Sequence, residues 1–348
     1  MRADHVFAFG AALGHLGDLL LGDPRRGHPV AVFGRAAAAV EQRLWRDHRG
    51  SGALYTAVCA GGATAAAAAL AGAARRASRS PHRATAAAGD SARVALTAAA
   101  TWAVLGGTTL GREARAVAAA LEAGDLAAAR ARLPHLCGRD PQSLDEQQIA
   151  RAVVESVAEN TSDAVVGALV WGAAAGVPGL VGFRAANTLD AMVGHRSPRH
   201  LRFGWASARL DDVAGFPGSR LTAALAALLG PDPRGALRAA RRDGRRHPSP
   251  NAGPVEAAFA GALGVRLGGT LSYGGRTEHR PVLNGGGRPV VPADIERAVR
   301  LARRVNAGAL AVCVAARLAV GAAAGAAAGG PEDGAGTGRR GAAMGRNA

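Results

Sequence analysis

Residues 53–74 have the sequence ALYTAVCAGGATAAAAALAGAA, a run without a charged side chain. Its length matches the roughly 20 residues that an α-helix needs to cross the hydrocarbon core of a bilayer. Alanine dominates the run, and alanine loses no side-chain entropy in a helix. Runs of similar length and character lie at residues 6–22, 92–111 and 306–329. These runs predict an all-α, multi-pass helical membrane protein.

A further apolar run, residues 164–182, contains Pro178-Gly179 near its end. Proline interrupts the hydrogen-bond ladder of a helix, so we expect a break or a re-entrant turn here and not a clean crossing. A clean crossing would also separate the polar segments on either side of the run. The predicted organisation is N-terminal membrane helices with a first motif loop (1–111), a helical, loop-rich catalytic region (112–305), a C-terminal membrane helix (306–330) and a disordered tail (331–348).

The composition limits the functions that are open to the chain. Alanine- and glycine-rich runs insert into membranes less favourably than leucine-rich ones, so a soluble alanine-rich bundle is the alternative fold. The formal net charge of +16 comes from arginine alone, because no lysine occurs. This excludes mechanisms that need a Schiff-base or phosphate-loop lysine. Aromatic residues make up 4% of the chain, too few for the stacking surface of a nucleic-acid-binding protein.

The sharpest polar motif is RAVVESVAENTSD, residues 151–163. Its acidic residues recur every four positions, which places them on one face of a helix. A solvated face partly neutralised by Arg151 is one interpretation. The other is a cation site beside the apolar run that follows, because carboxylates there need a compensating positive charge. Magnesium, which prefers oxygen ligands, fits the candidate metal-binding set Glu155, Glu159, Asn160 and Asp163.

A second constellation spans residues 184–194 and 203–212. Arg184, Asn187 and Asp190 are three residues apart and share one helix face. Arg209 precedes two adjacent carboxylates, Asp211 and Asp212. Structural ion pairs explain any one of these groups. Their density among apolar positions favours a polar site between helices.

Two proline-rich loops supply further candidates. In HPSPNAG, residues 247–253, Ser249 and Asn251 are placed to cap the next helix, or the loop presents backbone N–H groups and His247 to a phosphate. The N-terminal stretch GDPRRGHPV, residues 22–30, has a similar pattern and is alternatively a turn at the membrane boundary. The candidate substrate- or phosphate-binding residues are Asp23, His28, Arg184, Asn187, His247, Asn251 and Glu256.

Together these segments resemble the adenosylcobinamide-phosphate synthase family, also called the CobD/CbiB family of cobalamin biosynthesis. The resemblance runs from about residue 22 to residue 305 and rests on blocks that match in order. These blocks are GDP…HPV at 22–30, VESVAENTSD at 154–163, NTLDAMVG at 187–194, FGWASARLDD at 203–212 and HPSPNAG at 247–253. The chain departs from the family pattern at Arg184, where lysine is usual, and at His195, where an aromatic residue is commoner.

The resemblance implies a multi-pass membrane enzyme that joins a carboxyl group of adenosylcobyric acid, a corrinoid, to an aminopropanol phosphate in an ATP-dependent ligation. Magnesium and ATP are therefore expected, with the motifs facing the cytoplasm across the cell membrane. The resemblance leaves open a partner enzyme of the cobalamin pathway that supplies the amine. The rival class is a multi-pass transporter of corrinoids or other small molecules, which would carry its charged residues at mid-membrane depth in broken helices.

Roles follow from the chemistry of amide formation. A carboxylate must be activated, most simply as an acyl phosphate, before a neutral amine attacks it. Glu155, Glu159 and Asp163 are expected to hold magnesium and nucleotide phosphates. Arg184, Arg209 and His247 are expected to bind phosphate or an oxyanion. The expected general bases are Asp190, Asp211 and Asp212.

Overall fold

The computed structural model describes residues 1–24, 27–138, 140–273 and 276–328, and it is almost entirely helical. The tail predicted to be disordered, 331–348, lies outside the described residues. The N-terminal half contains α1 (Ala3–Leu21), α2 (Pro29–Leu44), α3 (Arg49–Thr56), α4 (Gly62–Ala77), α5 (Arg83–Val104), α6 (Gly107–Glu122) and α7 (Leu126–Arg132).

The C-terminal half carries most of the motifs. Its helices are α8 (Glu146–Thr161), α9 (Gly167–Ala175), α10 (Val177–Leu189), α11 (Trp205–Leu229), α12 (Pro233–Asp243), α13 (Ala252–Leu263) and α14 (Ala293–Ala328). Strands β1 (Leu267–Tyr273) and β2 (Arg276–Leu283) form an antiparallel hairpin. The helical fold is confirmed, whereas the hairpin was not expected from the sequence. Short π-helical segments occur at Ala57–Gly61, Ser162–Val166 and Asp190–Gly194.

Three helical stretches of the described chain are long and apolar enough to cross a membrane: Arg49–Ala77, Arg83–Glu122 and Ala293–Ala327. They cover the predicted runs at 53–74 and 92–111 and most of the run at 306–329, so the expectation of membrane-spanning helices is supported. The fourth run, 6–22, forms α1, which is not among these three. That α1 crosses a membrane stays a prediction.

The run at 164–182 breaks into an antiparallel pair of helices. Gly176 joins α9 to α10 with a φ of 67°, a conformation that favours glycine. The helices then pack so closely that a Cβ atom at Gly179 would lie 2.0 Å from the carbonyl oxygen of Trp171. Because the chain returns on itself, the residues before α9 and those after α10 lie at the same end of the bundle.

Other loops meet at this end, which we call the site end. The Gly106 N–H, between α5 and α6, donates to the Ala164 carbonyl oxygen at 3.3 Å. The Asp23 N–H, just after α1, donates to Thr109 Oγ1 at 3.1 Å. The motif-bearing segments predicted to share one side of the membrane therefore share one end of the fold.

The core beneath the site end consists mainly of α8, α13 and α14. Helix α13 is apolar on almost every side, and all of its residues except Pro254 are buried. Such a helix belongs in the centre of a bundle. It nevertheless carries one carboxylate, Glu256, which is 3% exposed and therefore needs polar partners inside the protein.

Candidate active site

Helix α8 is the element that organises the site. It begins with a capping box in which the Asp145 side chain accepts from the Gln148 N–H and the Gln148 side chain accepts from the Asp145 N–H. This fixes the start of the helix and so the direction of its polar face. Arg151, Glu155 and Glu159 lie on α8 with the predicted four-residue spacing, and Asp163 follows in the π-helical segment Ser162–Val166.

Glu159, Asp163, Asp190 and Asp211 form what we call the acidic cluster. Burial raises the pKa of Asp163 well above its usual value, and the neighbouring charges of Glu159, Asp211 and Asp190 raise it further. Three elements supply these side chains: the α8 end with its π segment, the π segment after α10, and α11. The fold thus gathers carboxylates from distant blocks, as the sequence predicted.

The other two aspartates of the cluster have pKa values near neutrality. Burial raises the pKa of Asp211 to about 7, with a further contribution from the charge of Asp190. Burial also raises the pKa of Asp190 to about 6, helped by the charges of Asp212 and Glu159. Like charges that face one another in a poorly solvated site disfavour full ionisation. The cluster therefore holds carboxyl groups whose pKa values lie within the neutral range.

Two of the cluster's aspartates are delivered by π-helical segments. Asp163 lies in Ser162–Val166, and Asp190 begins Asp190–Gly194. A π turn adds a residue to the helical repeat and so redirects the side chains around it. At the second segment, a Cβ atom on Gly194 would collide with Asp190 Oδ1. Glycine at 194 is therefore needed for the position of Asp190.

Arg184 provides the positive charge beside the cluster. Its side chain is half-buried, and its electrostatic partners include Asp23 and Asp163. Arg184 Nη1 donates to Asn187 Oδ1 at 3.5 Å, and Asn187 Nδ2 donates to Asp211 Oδ1 at 3.4 Å. This relay connects the arginine to the carboxylate whose pKa is about 7.

The first motif loop joins the site through Asp23 and His28. His28 Nε2 lies 3.7 Å from Asp23 Oδ1. The other ring nitrogen, Nδ1, accepts from the Val30 N–H at 3.1 Å and so caps α2. Because the charge of Asp23 also acts on Arg184, both residues lie on the Arg184 side of the acidic cluster.

The adjacent carboxylates Asp211 and Asp212 have different surroundings. Asp212 Oδ2 accepts from Arg209 Nη1 at 2.9 Å, and the arginine side chain is 73% exposed. This is a surface ion pair, which contributes little free energy. The structure thus places Asp211 inside the cluster and puts Arg209 at its outer edge.

Glu155 lies apart from the acidic cluster, although it shares a helix face with Glu159. Glu155 Oε1 accepts from the Gly268 N–H at 2.7 Å, and Arg151 Nη1 donates to the Gly268 carbonyl oxygen at 2.7 Å. Two side chains one helical turn apart therefore hold both backbone groups of one residue at the start of the β-hairpin. Glu155 therefore helps to fix the start of the hairpin, and its role as a metal ligand stays a prediction.

His247 and Glu256 lie near Glu155 and, with Arg280, form what we call the histidine group. His247 Nε2 is 4.0 Å from Glu256 Oε1 and 3.5 Å from Arg280 Nη1. Burial lowers the pKa of His247, and the charge of Arg280 lowers it further. His247 Nδ1 accepts from the Ser249 N–H at 3.1 Å, so the neutral ring carries its proton on Nε2, towards Glu256.

Two predicted site residues make structural contacts. Asn251 Nδ2 donates to the Asp212 carbonyl oxygen at 2.9 Å, on the stretch of α11 that leads to Pro217. Asn251 thus fastens its loop to a helix whose hydrogen-bond ladder is weakened by proline. Of the two predicted caps of α13, Ser249 is confirmed, because its Oγ accepts from the Ala252 N–H, whereas the Asn251 side chain makes no capping hydrogen bond. Asn160 Nδ2 donates back to the Ser156 carbonyl oxygen at 2.9 Å.

Sequence reasoning did not identify the contribution of the hairpin. Arg280 and the backbone of Gly268 contact the histidine group and Glu155, respectively. Both come from a segment that is more than a hundred residues from α8 in the chain. The only sequence signal was the Gly268-Gly269 pair, because adjacent glycines are typical of an irregular strand. In the structure both residues have positive φ, and the strand register shifts there. No local pattern indicated that this irregularity packs against α8.

The acidic cluster has the donor chemistry of a magnesium site. Its four acidic side chains offer carboxylate oxygens. Their raised pKa values indicate that the nearby positive charge does not balance their negative charge. Within the described ranges, no three His, Cys, Asp or Glu side chains are arranged to hold a metal ion by themselves. Magnesium commonly takes one or two carboxylates together with substrate phosphates. The residues therefore fit an ion that arrives with phosphate.

Comparison with known proteins identifies the family of the chain. The profile of the family described as CobD/Cbib protein matches residues 11–302, which include every residue of both groups. No solved structure matches the chain.

Several proteins named cobalamin biosynthesis protein CobD are similar over most of the chain. The protein from Mycobacterium tuberculosis strain H37Rv is 54% identical over 311 residues, which cover 88% of this chain and 95% of the relative. The protein from Geobacter metallireducens is 42% identical over 285 residues, covering 80% of this chain and 85% of the relative. The sequence motifs, the site that they build and these similarities agree, and the chain belongs to the CobD/CbiB family of cobalamin biosynthesis.

Proposed function

We propose that this chain is an adenosylcobinamide-phosphate synthase. It condenses a carboxyl group of adenosylcobyric acid with the amine of (R)-1-amino-2-propanol O-phosphate to form an amide, in an ATP-dependent reaction. The observation that supports this most is the acidic cluster beside Arg184, in which carboxyl groups that ionise near neutral pH face a half-buried guanidinium. Membership of a cobalamin-biosynthesis family supplies the substrate class.

Proton removal is the step that the cluster suits. The amine reaches the enzyme as an ammonium ion and must lose a proton before it attacks the activated carboxyl group. A general base works best when its pKa lies near the working pH. Asp211, with a pKa of about 7, and Asp190, with a pKa of about 6, meet this condition. In this proposal Asp211 accepts the proton and Asp190 tunes its pKa.

Arg184 and Asn187 are suited to holding the phosphate or the developing oxyanion. The guanidinium is planar and binds oxyanions through two parallel hydrogen bonds. Asn187 lies between the guanidinium and Asp211. An oxyanion bound by Arg184 would therefore lie close to the base, and the amine and the carboxyl group would meet between them.

Magnesium and ATP are proposed as co-reactants. Glu159 and Asp163 are the carboxylates that would hold the ion, which would neutralise phosphate charge and help activate the carboxyl group of the substrate. Because the pKa of Asp163 is raised well above its usual value, binding of a cation must displace a proton from the cluster. Glu155 is proposed as a further ligand of the same ion, because a carboxylate that accepts one hydrogen bond through Oε1 keeps other lone pairs for a cation.

His247, Glu256 and Arg280 are proposed to bind the far part of a substrate. The histidine group lies one helical turn of α8 from the acidic cluster, along the face that carries Glu155 and Glu159. Arg280 gives this group a positive charge for a phosphate or a propionate. Asp23 and His28 are proposed to bind substrate on the Arg184 side.

The enzyme is proposed to lie in the cell membrane, with the site end facing the cytoplasm, where ATP is available. The three candidate membrane-spanning stretches support a membrane protein. The aspartates of the acidic cluster lie outside those stretches. This arrangement favours chemistry at a membrane face over passage of a solute through it.

The test is product formation by the purified full-length protein in detergent. The protein is incubated with adenosylcobyric acid, aminopropanol phosphate, ATP and magnesium, and the corrinoid products are analysed by mass. We expect a condensed product that requires all four additions. Uptake of corrinoid into vesicles without a condensed product would show a transporter and contradict the proposal.

A further inference from the structure

The end of the bundle opposite the site end contains a basic cavity of about 300 Å³. Arginines from three different helices line it: Arg75 of α4, Arg93 of α5 and Arg317 of α14. The α9–α10 turn at Gly176 closes one side. None of the described residues that line this cavity is acidic. Three guanidinium groups around one cavity attract an anion.

Two of these arginines are held in place by the protein itself. Arg317 Nη1 donates to the carbonyl oxygen of Ala173 at 3.0 Å. Arg93 Nη1 donates to Asp90 Oδ1 at 2.9 Å, and Asp90 also pairs with the amino group of Met1. Asp90 therefore pairs with two positive groups, and Arg93, Asp90 and the Met1 amino group together carry a net positive charge. The Arg75 side chain makes no hydrogen bond or ion pair with any other described residue.

The cavity continues into an apolar trough. A second cavity, of about 570 Å³, lies between α2, α4, α5 and α10, and it shares Leu96 and Val177 with the basic cavity. Its walls are mainly alanine, valine and leucine, and Arg184 lies at its inner end. On α4, residues from Ala63 to Arg75 line the two cavities in succession, a rise of about 18 Å.

Helices α4 and α5 both belong to candidate membrane-spanning stretches. The trough therefore runs along a membrane-facing wall, with its positive end where lipid headgroups would lie. An amphipathic anion with a long hydrocarbon chain would place its charge in the basic cavity and its chain in the apolar trough.

We propose that the joined cavities bind one anionic phospholipid, with its phosphate among Arg75, Arg93 and Arg317 and an acyl chain in the trough. Charge complementarity selects the anionic headgroup, and the apolar walls select the chain. The trough ends at Arg184, so the bound lipid contacts the helix that carries Arg184 and Asn187 of the candidate active site. The proposal does not depend on which reaction the site end performs.

The test compares lipids by the thermal stability of the purified full-length protein in a neutral detergent. Phosphatidylglycerol is expected to raise Tm by at least about 2 °C more than phosphatidylcholine with the same chains, because a ligand of the folded state stabilises it. Inorganic phosphate is added separately to test for a simple anion site. An equal effect of the two lipids, or an equal effect of phosphate alone, would overturn the proposal.

Matched substitutions locate the effect. Arg75→Gln removes a cavity arginine, whereas Arg76→Gln removes an exposed arginine that does not line the cavity. Ala66→Phe fills the trough, and Ala65→Phe adds the same side chain at an exposed position outside it. The phosphatidylglycerol increment should be lost in Arg75→Gln and Ala66→Phe and kept in their partners. Equal behaviour within each pair would contradict the assignment.

A measurement on the unaltered protein tests the proposal even if the variants fail to fold. Native mass spectrometry of the protein purified from membranes, followed by delipidation and titration with phosphatidylglycerol, should show one tightly retained lipid. Failure to retain any anionic lipid under conditions that preserve the folded protein would overturn the proposal.

Discussion

Asp243 and the acidic cluster show two ways in which this protein buries aspartate. Asp243, at the end of α12, is 2% exposed, and its oxygens accept from Arg242 Nε at 2.9 Å and from the Asn284 N–H at 2.9 Å. These partners, Arg242 first, hold its pKa below the usual value. Asp163 and Asp211 are half-buried, but they face other carboxylates, and their pKa values are raised.

Burial raises the pKa at all three aspartates, and only at Asp243 do hydrogen bonds from Arg242 and Asn284 outweigh it. Asp243 fastens α12 to the segment after β2, so its charge is satisfied and structural. The acidic cluster is left without enough positive charge by the protein alone. Groups in that condition are candidates for function, because a substrate or cation can complete them. Each of the following changes tests this contrast.

The largest expected effect is on the rate of the Asp211→Asn variant. If Asp211 accepts the proton of the attacking amine, kcat should fall by about 10²- to 10⁴-fold, measured as condensed corrinoid per minute. Asp243→Asn is the control, because it should keep the kcat of the folded fraction while losing stability through an unpaired arginine. A rate for Asp211→Asn close to that of the unaltered protein would show that another group is the base.

Removing the positive charge beside the cluster should have a smaller effect. Arg184→Gln is expected to lower kcat/KM by about 10- to 100-fold, the loss of one charge-assisted hydrogen bond worth about 1.5–3 kcal/mol. Steady-state kinetics with varied aminopropanol phosphate measure it. Arg184→Lys keeps the charge and should recover part of the activity. If both variants match the unaltered protein, the guanidinium has no role in binding.

The pH dependence of the reaction should shift when the cluster loses a charge. Asp211 accepts a proton only when ionised, so the rate should fall as the pH drops below about 7, its pKa in the folded protein. Asp190 contributes to that raised pKa, and Asp190→Asn should therefore move the acid limb of the pH–rate profile to lower pH, by about one unit or less. A shift to higher pH, or none, would contradict the proposed coupling.

The smallest effects are on stability, and their signs should be opposite in the two regions. The pKa of Asp163 is raised on folding, so ionisation costs stability as the pH rises above the unfolded value. Asp163→Asn should therefore raise Tm at pH 8 by about 2–4 °C and have less effect at pH 5. Asp243→Asn should lower Tm at pH 8, because the pKa of Asp243 is depressed. Differential scanning fluorimetry at both pH values tests the pair.

The sequence predicted the helical class, the break in 164–182 and the convergence of several motif blocks, because these follow from local composition and spacing. It could not separate Glu155 from Glu159. Both lie on the same helix face. Only long-range packing places the start of the β-hairpin against Glu155 and the aspartates of the acidic cluster beside Glu159. Equal spacing along a helix does not imply a shared site.

The same limit applies to Asp211 and Asp212. They are neighbours in the chain, yet one lies inside the cluster and the other pairs with exposed Arg209. The π-helical segments at 162–166 and 190–194 set the directions of Asp163 and Asp190, and no known residue pattern in the sequence indicated them. The sequence therefore identified most of the residues, while the tertiary packing decided which of them meet.

The central claim is that the acidic cluster keeps carboxyl groups protonated near neutral pH until a cation or substrate binds. Infrared difference spectroscopy of the purified protein across a pH titration measures this directly through the C=O stretch of protonated carboxyl groups. We predict a band that persists above pH 7, is lost in part in Asp163→Asn, and diminishes when magnesium and ATP are added. A band that disappears by pH 5, or that is unchanged in Asp163→Asn, would contradict the claim.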